Sequence, residues 1–590
     1  MCALWPHDHL SDSIRKQQQT NLLLFAIGVV VLMVALSLSA LSSPITITKI
    51  LRSTMAPNTS IKGLPSLLTI TIEQASEGLA AGRFTSADLV KAYIARIEEA
   101  SHFKAVLEVN PDALSAAKTL DEERSRSGSM GALHGIPILV KDNISTKDKL
   151  HASAGSFALL GAKPATESSV ISKLREAGVV ILGKTNLSEW ANFRGLNISA
   201  GWSPRGGQTL GAYHPNTRSD GSSSGSAVAA ALGLCGAALG TETMGSIVDP
   251  AEIANVVGFK PTRGLIATDG AIPISKRQDV IGTLTKTVKD AAYMLTQMAG
   301  RSDADERTWN IPFESIPDYA SFCKSTNLGG ITIGVPRNCF DTKTAPVPII
   351  KSFESALKIL SSAGATVVDN ANFTGVDEFK KLNQQVKGIV RSSEFNRDIL
   401  AYLKTLESNP NNIRSAEDII EFTKSFPAEE YPDKDIGKFL WTQSEGIDVD
   451  SDKYKEMVQQ ELYFGGEGGI LGAIKQYKLD VLVVPSTLGV ANDLAAKMGF
   501  PFISVPLGFW PEDTPIERED RKGGLVRKAP GIPYCISFFT KAYSEEMLLQ
   551  VAYTFEQLAG VQDNGPQPYQ PPRTELSDVQ ETGQKRSQLS

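Results

Sequence analysis

What most limits the folds open to this chain is a repeated alternation, running from about residue 67 to residue 560. Short apolar runs of strand length, many bounded by Gly or Pro, alternate with segments whose apolar residues recur three and four apart. Strand-like runs fall at 135–140, 179–182, 331–335, 366–368, 480–484 and 502–505, the last two followed by Pro485 and Pro506. Helix-like segments lie between them. Thr85-Ser86-Ala87-Asp88 reads as a capping start, with Leu89, Tyr93, Ile94 and Ile97 on one face. Thr287-Val288-Lys289-Asp290 opens another helix, and residues 167–177, 227–234 and 349–360 add three more. Such alternation implies an α/β fold, a mixed and mostly parallel sheet with helices on both faces. With 590 residues, 42% of them hydrophobic, the core can be large.

The ends have a different character. Residues 1–20 are a polar leader, and 21–41 form an apolar run of about 20 residues, the length that spans a bilayer. This reads as a transmembrane or signal-anchor helix, with a cleaved signal peptide as the rival. An anchor would make the chain a single-pass membrane protein with its large domain outside the cytosol; cleavage would make it secreted. Residues 42–66 are a Ser, Thr and Pro linker, and 67–562 the main domain. Within it, 370–475 are more polar and read as a variable helical insertion shaping the substrate entrance. Residues 563–590, rich in Pro, Gln, Glu and Ser, read as a disordered tail.

Several chemistries are excluded. Net charge is −6 and no basic stripe with aromatics occurs, so nucleic acid is not an expected partner. Five scattered cysteines form neither a disulfide framework nor a CxxC pair, and no HExxH appears, so neither metal nor cofactor is expected. Residues 178–185 fit the phosphate-loop pattern GxxxxGK[ST], but the variable positions are Val-Val-Ile-Leu, a buried strand and not a loop around phosphates. Gly221-Ser222-Ser223-Ser224-Gly225 fits the G-x-S-x-G elbow. That elbow needs a histidine after the nucleophile, and all six histidines precede Ser223.

With histidine excluded in that order, lysine becomes the candidate base. Lys141 closes an apolar run, where desolvation would lower its pKa and leave part of it neutral. Glycines and serines at 221–226 and 240–247 supply hydroxyls and closely approaching backbone N–H groups, so the three segments read as one acyl-transfer site.

Six blocks in order, residues 135–143, 183–190, 201–209, 221–226, 240–247 and 257–262, resemble the amidase signature family. The Gly-Thr-Glu-Thr and Gly-Trp-Ser sequences are most similar to its peptide-amidase-like branch. The resemblance covers about residues 67–560 and implies the amidase-signature fold, a large twisted sheet sandwiched by helices. It also implies a Ser–cis-Ser–Lys triad: Ser246 as nucleophile, Ser222 as the bridging serine on a cis peptide, Lys141 as base. Backbone N–H groups of Thr243, Met244, Gly245 and Ser246 would form the oxyanion hole. The substrate would be a small acyl amide or a peptide C-terminal amide, without metal or cofactor. Met244 stands where relatives carry Gly or Asp, residues that tolerate left-handed backbone better, and Asp249 and Glu252 add carboxylates. Two alternatives follow: a catalytically weak, membrane-tethered scaffold protein, or the subunit of an amidotransferase that passes ammonia to acylated tRNA.

Overall fold

The computed structural model describes residues 63–340, 345–486, 489–521 and 523–580. The apolar run 21–41 lies outside the described residues, as do 581–590 of the expected tail. Among the described residues no helix is long and apolar enough to cross a membrane.

The apolar runs become an eleven-stranded sheet. In chain order its strands are β1 (Val106–Val109), β2 (Pro137–Lys141), β3 (Val180–Thr185), β4 (Ala237–Glu242), β5 (Val257–Lys260), β6 (Val280–Thr285), β7 (Thr332–Val335), β8 (Thr366–Asp369), β9 (Val481–Pro485), β10 (Phe502–Phe509) and β11 (Pro533–Phe539). Across the sheet they run β1-β3-β2-β4-β6-β5-β10-β11-β9-β7-β8. Every residue of β2, β3, β4, β5, β6, β9 and β11 is buried, which is why these segments are apolar on both faces.

The sheet is mixed but not mostly parallel. Parallel pairing joins β2 to β3, β2 to β4, β7 to β9 and β7 to β8. The other six neighbour pairs are antiparallel. The expectation of a mostly parallel sheet fails at the centre, where β5 reaches β6, and β10 reaches β11, without an intervening α-helix. A crossover helix is what makes consecutive strands parallel.

The helix starts follow their sequence signals. Thr85 accepts the N–H of Asp88 while Asp88 reaches back to Thr85, a reciprocal capping box. Thr287 accepts the N–H of Asp290 to open Val288–Met298. Residues 178–185 enter β3, where the Lys184 ammonium is buried and donates to the Ile144 carbonyl.

Helices Gln384–Leu403, Ala416–Ser425, Gly437–Glu445 and Asp452–Gly465 occupy the polar 370–475 region. The first three dock through a second apolar cluster that includes Trp190, Phe193, Ile274, Phe395, Ile399 and Phe439, while Phe464 of the fourth joins the main core. Ring centroids of Phe193 and Phe395 are 4.6 Å apart. A buried ion cluster reinforces the joint: Arg194 pairs with Glu189 and, at 2.9 Å, with Glu429.

The expected disorder from residue 563 is corrected for the part described. Arg96, fully buried, donates to the carbonyls of Thr574 at 2.8 Å and Pro572 at 3.2 Å. Glu575 accepts from the Leu67 N–H and the Ser66 hydroxyl, each at 2.7 Å, and Leu576 is fully buried. Composition misleads here because order comes from backbone carbonyls, one carboxylate and one leucine, not from an apolar stretch.

Candidate active site

Lys141 is the last residue of β2, and its parallel neighbour β4 carries Thr241 alongside, in a register that pairs Val140 with Leu239. Lys141 Nζ lies 2.8 Å from Ser222 Oγ, 2.9 Å from Ser223 Oγ, 2.9 Å from Thr241 Oγ1 and 3.1 Å from the Thr241 carbonyl oxygen. No carboxylate touches the amine among the described residues, and Lys141, Ser222 and Ser223 are fully buried. Burial lowers the Lys141 pKa to about 7, against the opposing pull of Glu242 and Asp279.

The serines sit just before and at the start of helix Ser224–Ala231. This helix is buried along its whole length, and Gly225 shows why only small residues fit. A Cβ there would lie 2.2 Å from the Ala105 carbonyl oxygen. The Gly221–Ser222 peptide is cis. The Ser188 N–H donates to the Ser222 carbonyl at 3.1 Å, and the Ser223 N–H donates to the Ser246 carbonyl at 2.9 Å. The structure therefore brings Lys141 and Ser222 into direct contact and ties Ser246 to the same cluster through its backbone.

Between β4 and helix Val248–Ala254 the chain makes the turn 243–246. Two carboxylates hold this turn. Glu242 accepts the N–H groups of Ile247 at 2.7 Å and Val248 at 3.1 Å. Asp279 accepts the Thr243 hydroxyl at 2.5 Å and the N–H groups of Ile274 at 2.8 Å and Ser275 at 3.0 Å. Burial raises Asp279 to about 6, with those hydrogen bonds opposing the rise. The N–H groups of Met244, Gly245 and Ser246 meet no backbone acceptor among the described residues. Thr243, Met244 and Ser246 line a cavity of about 390 Å³ together with Gly221, Asp249, Phe193 and Ile274. Such a volume accommodates a small organic substrate.

The concern over Met244 is corrected. The left-handed backbone in this turn falls on Gly245, at φ 80°, and Met244 is not among the residues with positive φ. Met244 is half-buried and contributes an apolar wall to the cavity. Sequence reasoning missed Thr241, Ser223, Asn143, Glu242 and Asp279 as partners of the site. Asn143 donates to Thr241 Oγ1 at 3.0 Å and so orients that hydroxyl beside the amine. All but Asp279 stand inside the quoted blocks, so their positions were available as a signal. Asp279 had none, being 36 residues beyond the Thr243 whose hydroxyl it accepts.

A family model described as Amidase matches residues 88–549. The chain belongs to the amidase signature family. An amidase-named protein of Arthroderma benhamiae is 43% identical over 516 residues, 84% of this chain and 86% of its own length. A glutamyl-tRNA(Gln) amidotransferase subunit from Prochlorococcus marinus is 29% identical over 540 residues, 84% of this chain and 99% of its own. Among solved structures, native peptide amidase from Stenotrophomonas maltophilia superposes with a TM-score of 0.74 at 35% identity, covering 85% of this chain and 98% of that one. This amidase is an amide-hydrolysing enzyme.

Proposed function

We propose that this amidase hydrolyses a small acyl amide or a peptide C-terminal amide through a seryl acyl-enzyme. Ser246 is the nucleophile, Ser222 the bridge and Lys141 the base. The observation that carries the reading is the buried Lys141 amine, 2.8 Å from Ser222 Oγ, beside a cavity lined by Ser246. A neutral amine has two N–H donors and one lone pair. The Thr241 carbonyl can only accept, so it takes one N–H, and the Ser223 or Thr241 hydroxyl takes the other. The lone pair is left for the proton of Ser222.

Lys141 takes the Ser222 proton as Ser222 takes that of Ser246, and Ser246 Oγ bonds to the amide carbon. The carbonyl oxygen becomes an oxyanion facing the N–H groups of residues 243–246, an arrangement worth roughly 3 kcal/mol per donor. The C–N bond then breaks, and the proton on Lys141 returns through Ser222 to the departing ammonia or amine. Water attacks the acyl ester, its proton follows the same relay, and carboxylic acid and free Ser246 result. The likeness to peptide amidase supports the substrate class. The higher identity to an amidase-named relative than to the amidotransferase protein, 43% against 29%, favours hydrolysis over ammonia transfer. Met244 gives no reason to prefer a catalytically weak scaffold.

Ser246→Ala and Lys141→Ala should each lower kcat/KM on a peptide amide by about a thousandfold or more with unchanged circular dichroism. Ser246→Ala should also abolish labelling by a serine-reactive fluorophosphonate. Labelling or turnover that survives in Ser246→Ala removes the assignment. The apolar run 21–41 extends the proposal to a membrane-tethered enzyme facing away from the cytosol, or a secreted one if the run is cleaved. Alkaline carbonate extraction of the full chain checks this, since an anchored enzyme stays in the pellet.

A further inference from the structure

The cavity lined by Ser246 takes part of its wall from the insertion. Helix Gln384–Leu403 presents Gln384, Gly388, Arg391 and Ser392 to it, the spacing of a single face. Helix Gly437–Glu445 adds Lys438 and Trp441, one turn apart. The same cavity wall therefore holds Thr243, Met244 and Ser246 together with two cationic side chains.

Neither cation forms an ion pair among the described residues, and Arg391 Nη1 is buried without a hydrogen-bond partner. A buried guanidinium donor left unsatisfied is costly, more so than a neutral one. Lys438 donates to the Asn192 carbonyl, and burial, with Arg391 and Arg521 nearby, lowers its pKa to about 8. Asp435 is an opposite charge near Lys438 and raises its proton affinity, but its oxygens accept the N–H groups of Leu196, Asn197 and Gly437, and it forms no ion pair with either cation among the described residues. Asp249, in the cavity wall, is held well above the usual carboxylate range by burial and by Asp220, Glu242 and Glu252, which disfavours its charged form, and it makes no ion pair with Arg391 or Lys438 among the described residues. Apolar side chains of Phe193, Ile274 and Met244 line the same cavity.

We propose that Arg391, seconded by Lys438, binds a carboxylate on the acyl portion of the substrate, so that the preferred substrates are amides whose acyl chain ends in a carboxylate beyond an apolar spacer. The inference rests on the amide-hydrolase reading of this cavity and narrows its substrate class. A guanidinium takes a carboxylate bidentately, which fixes orientation as well as affinity. The spacer lies along Phe193, Ile274 and Met244.

The test uses the full-length enzyme and dicarboxylic acid monoamides from succinamate to suberamate. Each is paired with the aliphatic amide in which a methyl group replaces the carboxylate. At the best chain length the acid should exceed its neutral partner by about tenfold or more in kcat/KM, chiefly through KM, because charge-assisted hydrogen bonds are the strong ones. Raised salt should shrink the ratio. In Arg391→Gln it should fall to within about threefold, with Arg391→Lys between the two. Should Arg391→Gln fail to fold, Lys438→Gln replaces it, and the wild-type ratio decides by itself. A ratio near one at every chain length, with both amides hydrolysed, overturns the subsite and leaves amide hydrolysis standing. If no amide is turned over, calorimetry on Ser246→Ala decides. Tighter binding of the acid than of its neutral partner sustains the subsite, and equal binding, or none, overturns it.

Discussion

In the proposed relay the state of one amine governs the site. With its pKa near 7, Lys141 changes from a donor-only ammonium to a base across neutral pH. Below that value the lone pair is gone, so kcat/KM should climb with pH through about 7 and level off above it; a flat profile would remove Lys141 as the base. Glu242 raises the amine's proton affinity, and its carboxylate also holds Ile247 and Val248. Glu242→Gln keeps an oxygen for those N–H groups while deleting the charge. Its rising limb should therefore move to lower pH, and a shift upward or none would separate Glu242 from the titration. The contact between Lys141 and Ser222 was foreshadowed because both residues, like Ser246, sit in short blocks that resemble the family's. What stayed hidden was the partnership across sequence. Thr241 looks like any strand threonine until the sheet register sets it beside Lys141. Nothing about Asp279 announces that it will hold Thr243.

Among elements, the turn 243–246 carries the most constraint. Gly245 has φ 80°, and a Cβ there would lie 2.2 Å from Asp249 Oδ2. Gly245→Ala should therefore shift the N–H groups beside Ser246, costing about 1–2 kcal/mol in backbone strain and about tenfold or more in kcat. Thermal melting and steady-state rates on one neutral amide check both, and full activity in the alanine variant would detach the turn from catalysis. Strands and caps were readable because apolar runs bury on both faces and Thr85 and Thr287 mark their helices. Pairing direction was not. A strand's apolar pattern is the same whichever way its neighbour runs, and only the connection between them distinguishes the two. The strain expected around Met244 likewise does not arise, because the positive φ falls on Gly245, and sequence names the glycine but not the dihedral it must supply.

For the whole molecule, the two ends of the described chain are pinned together. Glu575 holds Ser66 and Leu67, and residues 572 and 574 satisfy Arg96. Ending the chain at residue 565 would strip a buried guanidinium of these partners, a loss of about 3 kcal/mol or more. The truncated protein should melt several degrees lower while the cavity residues stay in place, and an unchanged melting temperature would show that the strap contributes nothing. The division of labour in the cavity has its own consequence. Residues 384–441 furnish part of the cavity wall, whereas β2, β4 and the serine turns furnish the groups of the proposed relay. If the proposed subsite holds, the charge that selects the substrate is encoded in a stretch of the gene apart from the reacting groups, while Phe193, Ile274 and Met244 supply the apolar part from nearer to them in sequence. Exchanging the two wall helices for those of another family member would re-address the same chemistry to a new set of molecules.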